Sequence, residues 1–215
     1  YGPGTIDGNS STSQSLGDGI RSYADDGIID GVIITDTYRY GIEDYQTNNT
    51  RITNNKIIDT LDIGIHVGNG ASDTQDVYVI GNTVDRTGIA AGSIDKDAIS
   101  GGGSNATKTG VKVVGNIVRL PEDVSATTNG IELWGKMAEI TVADNIVYGG
   151  DLGISVSAST ATANLMDRVV ISGNVLKNQD NYGIETVRNN ILSITGNVCD
   201  GDGADRGISW AEDVA

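Results

Sequence analysis

The chain contains one histidine, His66, and groups able to act with it recur at nearly fixed intervals. Glu43 stands 23 positions before His66, and Arg21 stands a further 22 before that. An imidazole ionises near neutral pH and serves as general acid or base. A carboxylate can share that work, and a guanidinium can hold developing negative charge. Tyrosines accompany the first two: Tyr23 follows Arg21, while Tyr40 and Tyr45 bracket Glu43. Further along, Glu132 and Trp134 repeat the pairing of carboxylate with aromatic ring, and Glu185 adds another carboxylate. Trp134 and the tyrosines could stack against sugar rings, whose apolar faces suit aromatic side chains. A plainer reading keeps His66 as a solvated strand residue paired with Glu43, and packs the aromatics under loops or against another subunit.

The intervals become meaningful once the elements that carry these residues are read. A tetrad of the form Ile-x-Gly-Asn returns eight times with variations: Ile6 to Asn9, Ile29 to Val32, Ile52 to Asn55, Val79 to Asn82, Val113 to Asn116, Val142 to Asn145, Ile171 to Asn174 and Ile194 to Asn197. The last residues of these tetrads are 23, 23, 27, 34, 29, 29 and 23 positions apart. A second series interleaves with the first: Gly19-Ile20, Gly41-Ile42, Gly64-Ile65, Ala98-Ile99, Gly130-Ile131, Gly153-Ile154, Gly183-Ile184 and Gly207-Ile208. The runs between them are short and β-branched, as in VYVIGNTV and VKVVGNIV, which is strand patterning. A circuit of about 23 residues holding three short strands closes into one coil of a solenoid. Gly, Asn or Asp before the final Asn permits a left-handed bend between strands. Asparagines of successive coils can then hydrogen-bond up the axis. The reading is an all-β, right-handed parallel β-helix of about eight coils, residues 1–215 forming a single domain that is a segment of a longer or assembled solenoid.

In such a coil the residue two places after each Gly points outward. That row is Arg21, Glu43, His66, Ser100, Glu132, Ser155, Glu185 and Ser209, with Tyr23, Tyr45, Gly68, Gly102, Trp134, Ser157 and Val187 as the next outward row. At about 4.8 Å per coil, Arg21, Glu43 and His66 should form a contiguous run beside Tyr23 and Tyr45. Glu43 and Glu132 fall about 14 Å apart, beyond the reach of a glycoside-hydrolysing pair, while Glu132 and Glu185 come to about 10 Å. The longest inserts between coils, 68–75, 88–96, 101–109, 120–128 and 157–167, should border this face as loops and wall a groove.

Composition narrows the partners. The formal charge is −15 and the pI near 4.2, which disfavours nucleic acid and anionic membrane surfaces, where lysines and arginines must neutralise phosphates. An anionic glycan would need a local basic patch or a bound cation. No apolar run approaches the roughly 20 residues that span a bilayer, and no targeting segment is visible at the start. The single cysteine, Cys199, gives no disulfide framework and reads as a small buried hydrophobe. The sequence marks no definite cofactor, with Ca²⁺ the one candidate. Asp- and Gly-rich stretches at 70–76, 95–97 and 200–205 could hold Ca²⁺ through oxygen ligands, but none has a recognised calcium-loop spacing.

Asn turns joined to Gly-Ile strands resemble the right-handed parallel β-helices of the pectate lyase-like class, which includes pectate lyases, alginate lyases, mannuronan C5-epimerases, rhamnogalacturonases and phage tailspikes. The resemblance covers the whole chain at the level of the repeat. It implies a glycan groove on the Gly-Ile face, a polysaccharide partner, an extracellular, cell-surface or virion location, and association as a homo-oligomer or fibre. Tyr40-Gly41-Ile42-Glu43-Asp44-Tyr45-Gln46-Thr47 resembles the epimerase stretch Tyr-Gly-Phe-Asp-Pro-His-Glu-Gln-Thr. That match would give Tyr40 the place of the family's catalytic tyrosine and Glu43 that of its aspartate. The Pro-His pair is missing, one residue is deleted, and the acidic residue expected on the next coil falls near Asn69. Alternation along the strand, moreover, points Tyr40 inward. The stretch therefore reads as kinship of repeat with a degraded epimerase site. Two functions follow: a polysaccharide-binding or polysaccharide-modifying β-helix, or a non-catalytic structural or adhesive solenoid.

Overall fold

From Ile28–Asp30 onward, the β-branched runs that open each tetrad are stopped by one residue in the left-handed region, and that residue turns the chain through a corner. The computed structural model describes residues 4–7, 17–69, 72–87, 96–121, 128–158, 166–200 and 206–211. At the tetrads, φ is +68° at Gly31, +55° at Asn54, +67° at Gly81, +65° at Gly115, +55° at Asp144, +67° at Gly173 and +64° at Gly196. Those are the places where glycine or a short Asx side chain tolerates the conformation.

Three parallel faces result. After each tetrad from Ile29 to Val32 onward comes a short strand, from Ile33–Thr35 through Ile57 and Val84 to Val198–Asp200, and Thr5–Asp7 is the eighth strand of this sheet. Ile6 stacks on Ile34, so the stretch from Ile6 falls on this face rather than at the Asn corner where the spacing placed it. The Gly-Ile face follows, with Ile20–Ser22, Ile42–Tyr45, Ile65–Asn69, Ile99–Thr109, Asn129–Ala143, Leu152–Ser157, Tyr182–Val187 and Arg206–Ala211 in parallel register. The third face leads back into the tetrads. Among the described residues there is no helix. Two strands depart from the expected three per coil: Ile99–Thr109 has 11 residues and Asn129–Ala143 has 15, and each carries the chain across the corner between the Gly-Ile and third faces. Residues 101–109, expected as a loop, are therefore largely strand.

The interior is a column of stacked isoleucines, valines and leucines, one per face per coil, of which Ile42, Ile65, Ile99, Ile131, Ile154 and Ile184 form the Gly-Ile side. Along one corner the asparagines bond in series. The backbone N–H of Asn82 donates to Asn116 Oδ1 at 2.9 Å, that of Asn116 to Asn145 Oδ1 at 2.9 Å, and that of Asn145 to Asn174 Oδ1 at 3.0 Å. Each Nδ2 also donates to a carbonyl of the preceding coil, as Asn116 Nδ2 does to Val79 at 2.9 Å. Val32 holds the same place without an amide and donates its N–H to Asn55 Oδ1 at 2.9 Å. Buried amides that would otherwise be orphaned are thus satisfied from coil to coil.

The glycines of the Gly-Ile series serve a different need. A Cβ on Gly41 would lie 2.5 Å from Ile57 Cγ2 and 2.6 Å from the Gly64 carbonyl oxygen, and Gly19, Gly64 and Gly130 meet the same obstacle. These positions press the backbone against the neighbouring face, so the strict in–out alternation begins only after the glycine.

Candidate functional site

The register places the outward row as the spacing predicts. Arg21 pairs with Glu43, Glu43 with His66, His66 with Ser100, Ser100 with Glu132, and Glu132 with Ser155. The second row has one correction. Gly68 adopts φ +71° in a bulge, so Tyr45 stands opposite Asn69 rather than Gly68. An extra residue in one strand shifts every later position by one, which the repeat alone does not reveal.

The side chains are more enclosed than an open strand face would give. Glu43 is 1% exposed and His66 8%. Glu43 is held by the Arg21 guanidinium. Arg21 in turn bridges to Asp18 at 2.6 Å and donates to the Tyr23 hydroxyl at 3.3 Å. Burial works against the Arg21 charge, but the Tyr23 hydroxyl, Asp18 and Glu43 outweigh it and hold the guanidinium above its ordinary value. Tyr23, exposed, sets its ring 5.3 Å from that of Tyr45, making a two-ring aromatic edge beside the ion pair.

Tyr40 is buried, as alternation predicts, and packs against His66, their ring centroids 5.2 Å apart. Arg39 caps this pair: its guanidinium carbon stands 4.2 Å from the Tyr40 ring centre, and its Nη2 donates to the Tyr40 hydroxyl at 2.8 Å. Burial raises the Tyr40 phenol above its usual value, against the pull of Arg39, so the ring stays protonated at neutral pH. Burial, with help from Arg39 and Lys108, lowers the His66 imidazole to about 4. His66 is therefore neutral under ordinary conditions, and its Nδ1 makes no hydrogen bond among the described residues. A neutral imidazole with a free nitrogen, beside a protonated phenol, can accept one proton while its neighbour donates another.

Three further residues reach this region without any signal in the repeat. Arg39 is one. Asp44 and Lys108 are the others, both inside the coil beneath the site. Asp44 Oδ1 accepts a bond from the Thr47 hydroxyl, and Thr47 lies 2.6 Å from the Thr50 hydroxyl. Lys108 Nζ donates to the Ser72 carbonyl at 2.7 Å, and its aliphatic stem runs along Gly68. Burial raises the Asp44 carboxyl and lowers the Lys108 ammonium. Lys108 comes from the long strand Ile99–Thr109, an irregular coil that leaves no periodic trace, whereas Asp44 holds the inward place that Val67 holds on the next coil.

The other candidates lie apart. Glu132 and Trp134 are two coils beyond His66, about 10 Å along the axis. Trp134 is half-buried and its Cδ1 lies against Gly102. Glu185 pairs with Ser155 and Ser209, two coils further on. Cys199 is half-buried against the core, where burial raises its thiol. The Asp- and Gly-rich stretches fall partly outside the described residues, and among the described residues no group of three or more His, Cys, Asp or Glu side chains could hold a metal ion.

A family profile described as "Right handed beta helix region" matches residues 2–147. No curated protein sequence matches the chain. Among solved structures, the chain is similar to the surface protein and adhesin PfbA of Streptococcus pneumoniae, with 11% identity, a TM-score of 0.53, and coverage of 96% of this chain and 75% of that one. It is also similar to an alginate lyase from Paenibacillus sp. str. FPU-7, with 17% identity, a TM-score of 0.42, and coverage of 97% and 83%. A third similarity is to the catalytic domain of a GH87 alpha-1,3-glucanase, at 10% identity and a TM-score of 0.38 over 87% of this chain. The chain spans about half, 48%, of that glucanase domain's length.

Proposed function

The chain belongs to the right-handed beta helix family, and from that premise we propose that its Gly-Ile face binds a polysaccharide outside the cell and carries an acid–base centre at His66 and Tyr40. The observation that carries this reading is the arrangement around His66: a neutral, enclosed imidazole with an unpartnered nitrogen, set 5.2 Å from a protonated phenol that Arg39 holds in place. Glu43 and Arg21 form a charge-balanced wall on the next two coils, and Tyr23 with Tyr45 offers an aromatic edge for a sugar ring. In this scheme the His66 imidazole takes a proton from the glycan, and the Tyr40 hydroxyl gives one to the leaving oxygen of a lyase step or to the carbon of an epimerisation. Arg39 steadies the phenol and neutralises charge that develops there. Glu132 and Trp134 extend the contact along the groove. Positive and negative groups nearly cancel at this site, so the net acidity of the chain does not repel a polysaccharide from it.

The test is turnover of alginate, pectate and a panel of neutral glycans, with and without Ca²⁺, by wild type, His66→Ala and Tyr40→Phe. Turnover of one glycan, lost in both variants, is the expected result. Turnover that survives His66→Ala removes the acid–base assignment.

A second reading is favoured by the Arg21–Glu43 contact, which leaves the best-placed carboxylate of the row already neutralised. On that reading the chain is a non-catalytic structural or adhesive solenoid. Glycan binding without turnover, weakened by Trp134→Ala but not by His66→Ala, would select it.

A further inference from the structure

Away from the His66 site, where the eight-stranded face turns the corner toward the Gly-Ile face, the surface opens into a depression of about 520 Å³. That is within the roughly 300–1,000 Å³ typical of small-ligand sites. Its lining comes from three successive coils: Arg119 and Leu120 from one, Tyr148, Gly149 and Gly150 from the next, Asn178 and Asp180 from the third. Arg119 and Tyr148 are direct strand partners, and the guanidinium carbon stands 5.9 Å from the tyrosine ring centre.

The hollow exists because two consecutive residues lack side chains. Gly149 and Gly150 have φ of +75° and +85°, a left-handed pair that side-chain-bearing residues rarely adopt. A Cβ on Gly150 would meet Leu120 Cδ1 at 2.5 Å and the Thr128 carbonyl oxygen at 2.8 Å. The glycine backbone therefore rests directly on Leu120 and forms a floor. The corresponding stretch of the next coil, Asn178 to Asp180, keeps its side chains and forms a wall. That wall is tied to the floor by the Asp180 N–H, which donates to the Gly150 carbonyl at 2.9 Å.

The chemistry of the lining is that of carbohydrate recognition. A partly exposed tyrosine offers a ring face to the C–H side of a sugar. Arg119, Asn178 and Asp180 supply a donor fork, a donor–acceptor amide and an acceptor, all suited to vicinal hydroxyls. The charges of Arg119 and Asp180 offset one another, which suits an uncharged ligand. Next to the floor, Asp151 feels both burial and the nearby Asp180, and both raise its carboxyl; a hydroxyl donor placed there would relieve that crowding.

We propose that the depression lined by Arg119, Tyr148, Gly149, Gly150, Asn178 and Asp180 is a second carbohydrate site that holds a short, uncharged oligosaccharide around the corner from the His66 row. It shares with the proposed function only the class of ligand, and it does not need the His66 centre to be catalytic. In a longer glycan it would anchor one segment while another lies on the Gly-Ile face.

The test is calorimetric or NMR binding of short gluco-, manno- and chito-oligosaccharides to wild type, Tyr148→Ala, Asp180→Ala and His66→Ala, with circular dichroism to verify folding. Tyr148 and Asp180 both point to solvent, so neither truncation should disturb the coil. At least one oligosaccharide should bind wild type and bind about tenfold more weakly to Tyr148→Ala and to Asp180→Ala, with His66→Ala unchanged. Either of two outcomes overturns the proposal: no oligosaccharide of the panel binds wild type, or binding is indifferent to both Tyr148→Ala and Asp180→Ala. Loss of turnover in His66→Ala tests the other site, so the two assignments can fail separately.

Discussion

Because His66 is the only histidine, its ionisation can be followed as a single ring resonance, and the enclosure of this side chain sets where it titrates. The ordinary value is 6.5, and burial followed by Arg39 and Lys108 brings it to about 4 in the folded chain. That difference in proton affinity is worth about 3 kcal/mol, at about 1.4 kcal/mol per tenfold. Its sign is set by which state binds the proton more readily, and here that is the unfolded chain. The contribution is fully present above pH 6.5, declines as the pH falls toward 4, and is gone below it. The groups facing the ring are Tyr40, Glu43, Arg39 and Lys108. The assay has two parts: an NMR titration of the His66 ring, and urea unfolding of wild type and His66→Gln at about pH 7.5 and about pH 4. The ring should titrate near 4, and the stability gap between wild type and variant should move by about 3 kcal/mol against wild type on acidification. A titration near 6.5 with an unchanged gap would refute the enclosure of His66 and with it the neutral-base role.

Three further outcomes follow from the same geometry. Asn116→Ala removes the acceptor for the Asn82 N–H and the donor to the Val79 carbonyl, leaving buried groups unpaired; unfolding should cost at least about 2 kcal/mol, measured by denaturant melts. Gly41→Ala forces a methyl to within 2.5 Å of Ile57 Cγ2 and should destabilise by about 1–3 kcal/mol, whereas Gly31→Ala meets no atom within 4 Å and should cost only the left-handed strain, about 1 kcal/mol. Arg21→Met leaves the buried Glu43 without its guanidinium and should destabilise by about 1–3 kcal/mol after allowance for the partial exposure of Arg21, with Glu43→Gln restoring part of the loss in the double variant.

The sequence made legible whatever repeats once per coil. The left-handed residue before each Asn, the buried isoleucine after each Gly and the pairing of Arg21, Glu43 and His66 are all periodic, so spacing alone places them. What escaped is what breaks the period. The bulge at Gly68 moves Asn69 opposite Tyr45, and the uninterrupted strands Ile99–Thr109 and Asn129–Ala143 replace an expected corner. Lys108 enters the interior from one of these irregular coils, and no spacing rule could pair it with the region of Asp44 and His66. The charge state of His66 also lay out of reach, since enclosure depends on how Arg39 and Tyr40 fold over the ring.

The measurement that bears most directly on the account is the His66 ring resonance during addition of the glycan that the turnover panel selects. Saturable movement of that signal, with an affinity matching the one measured by calorimetry, is what a polysaccharide lying on the Gly-Ile face produces. A glycan that binds at full occupancy and leaves the His66 signal where it was would place the ligand elsewhere and end the acid–base assignment.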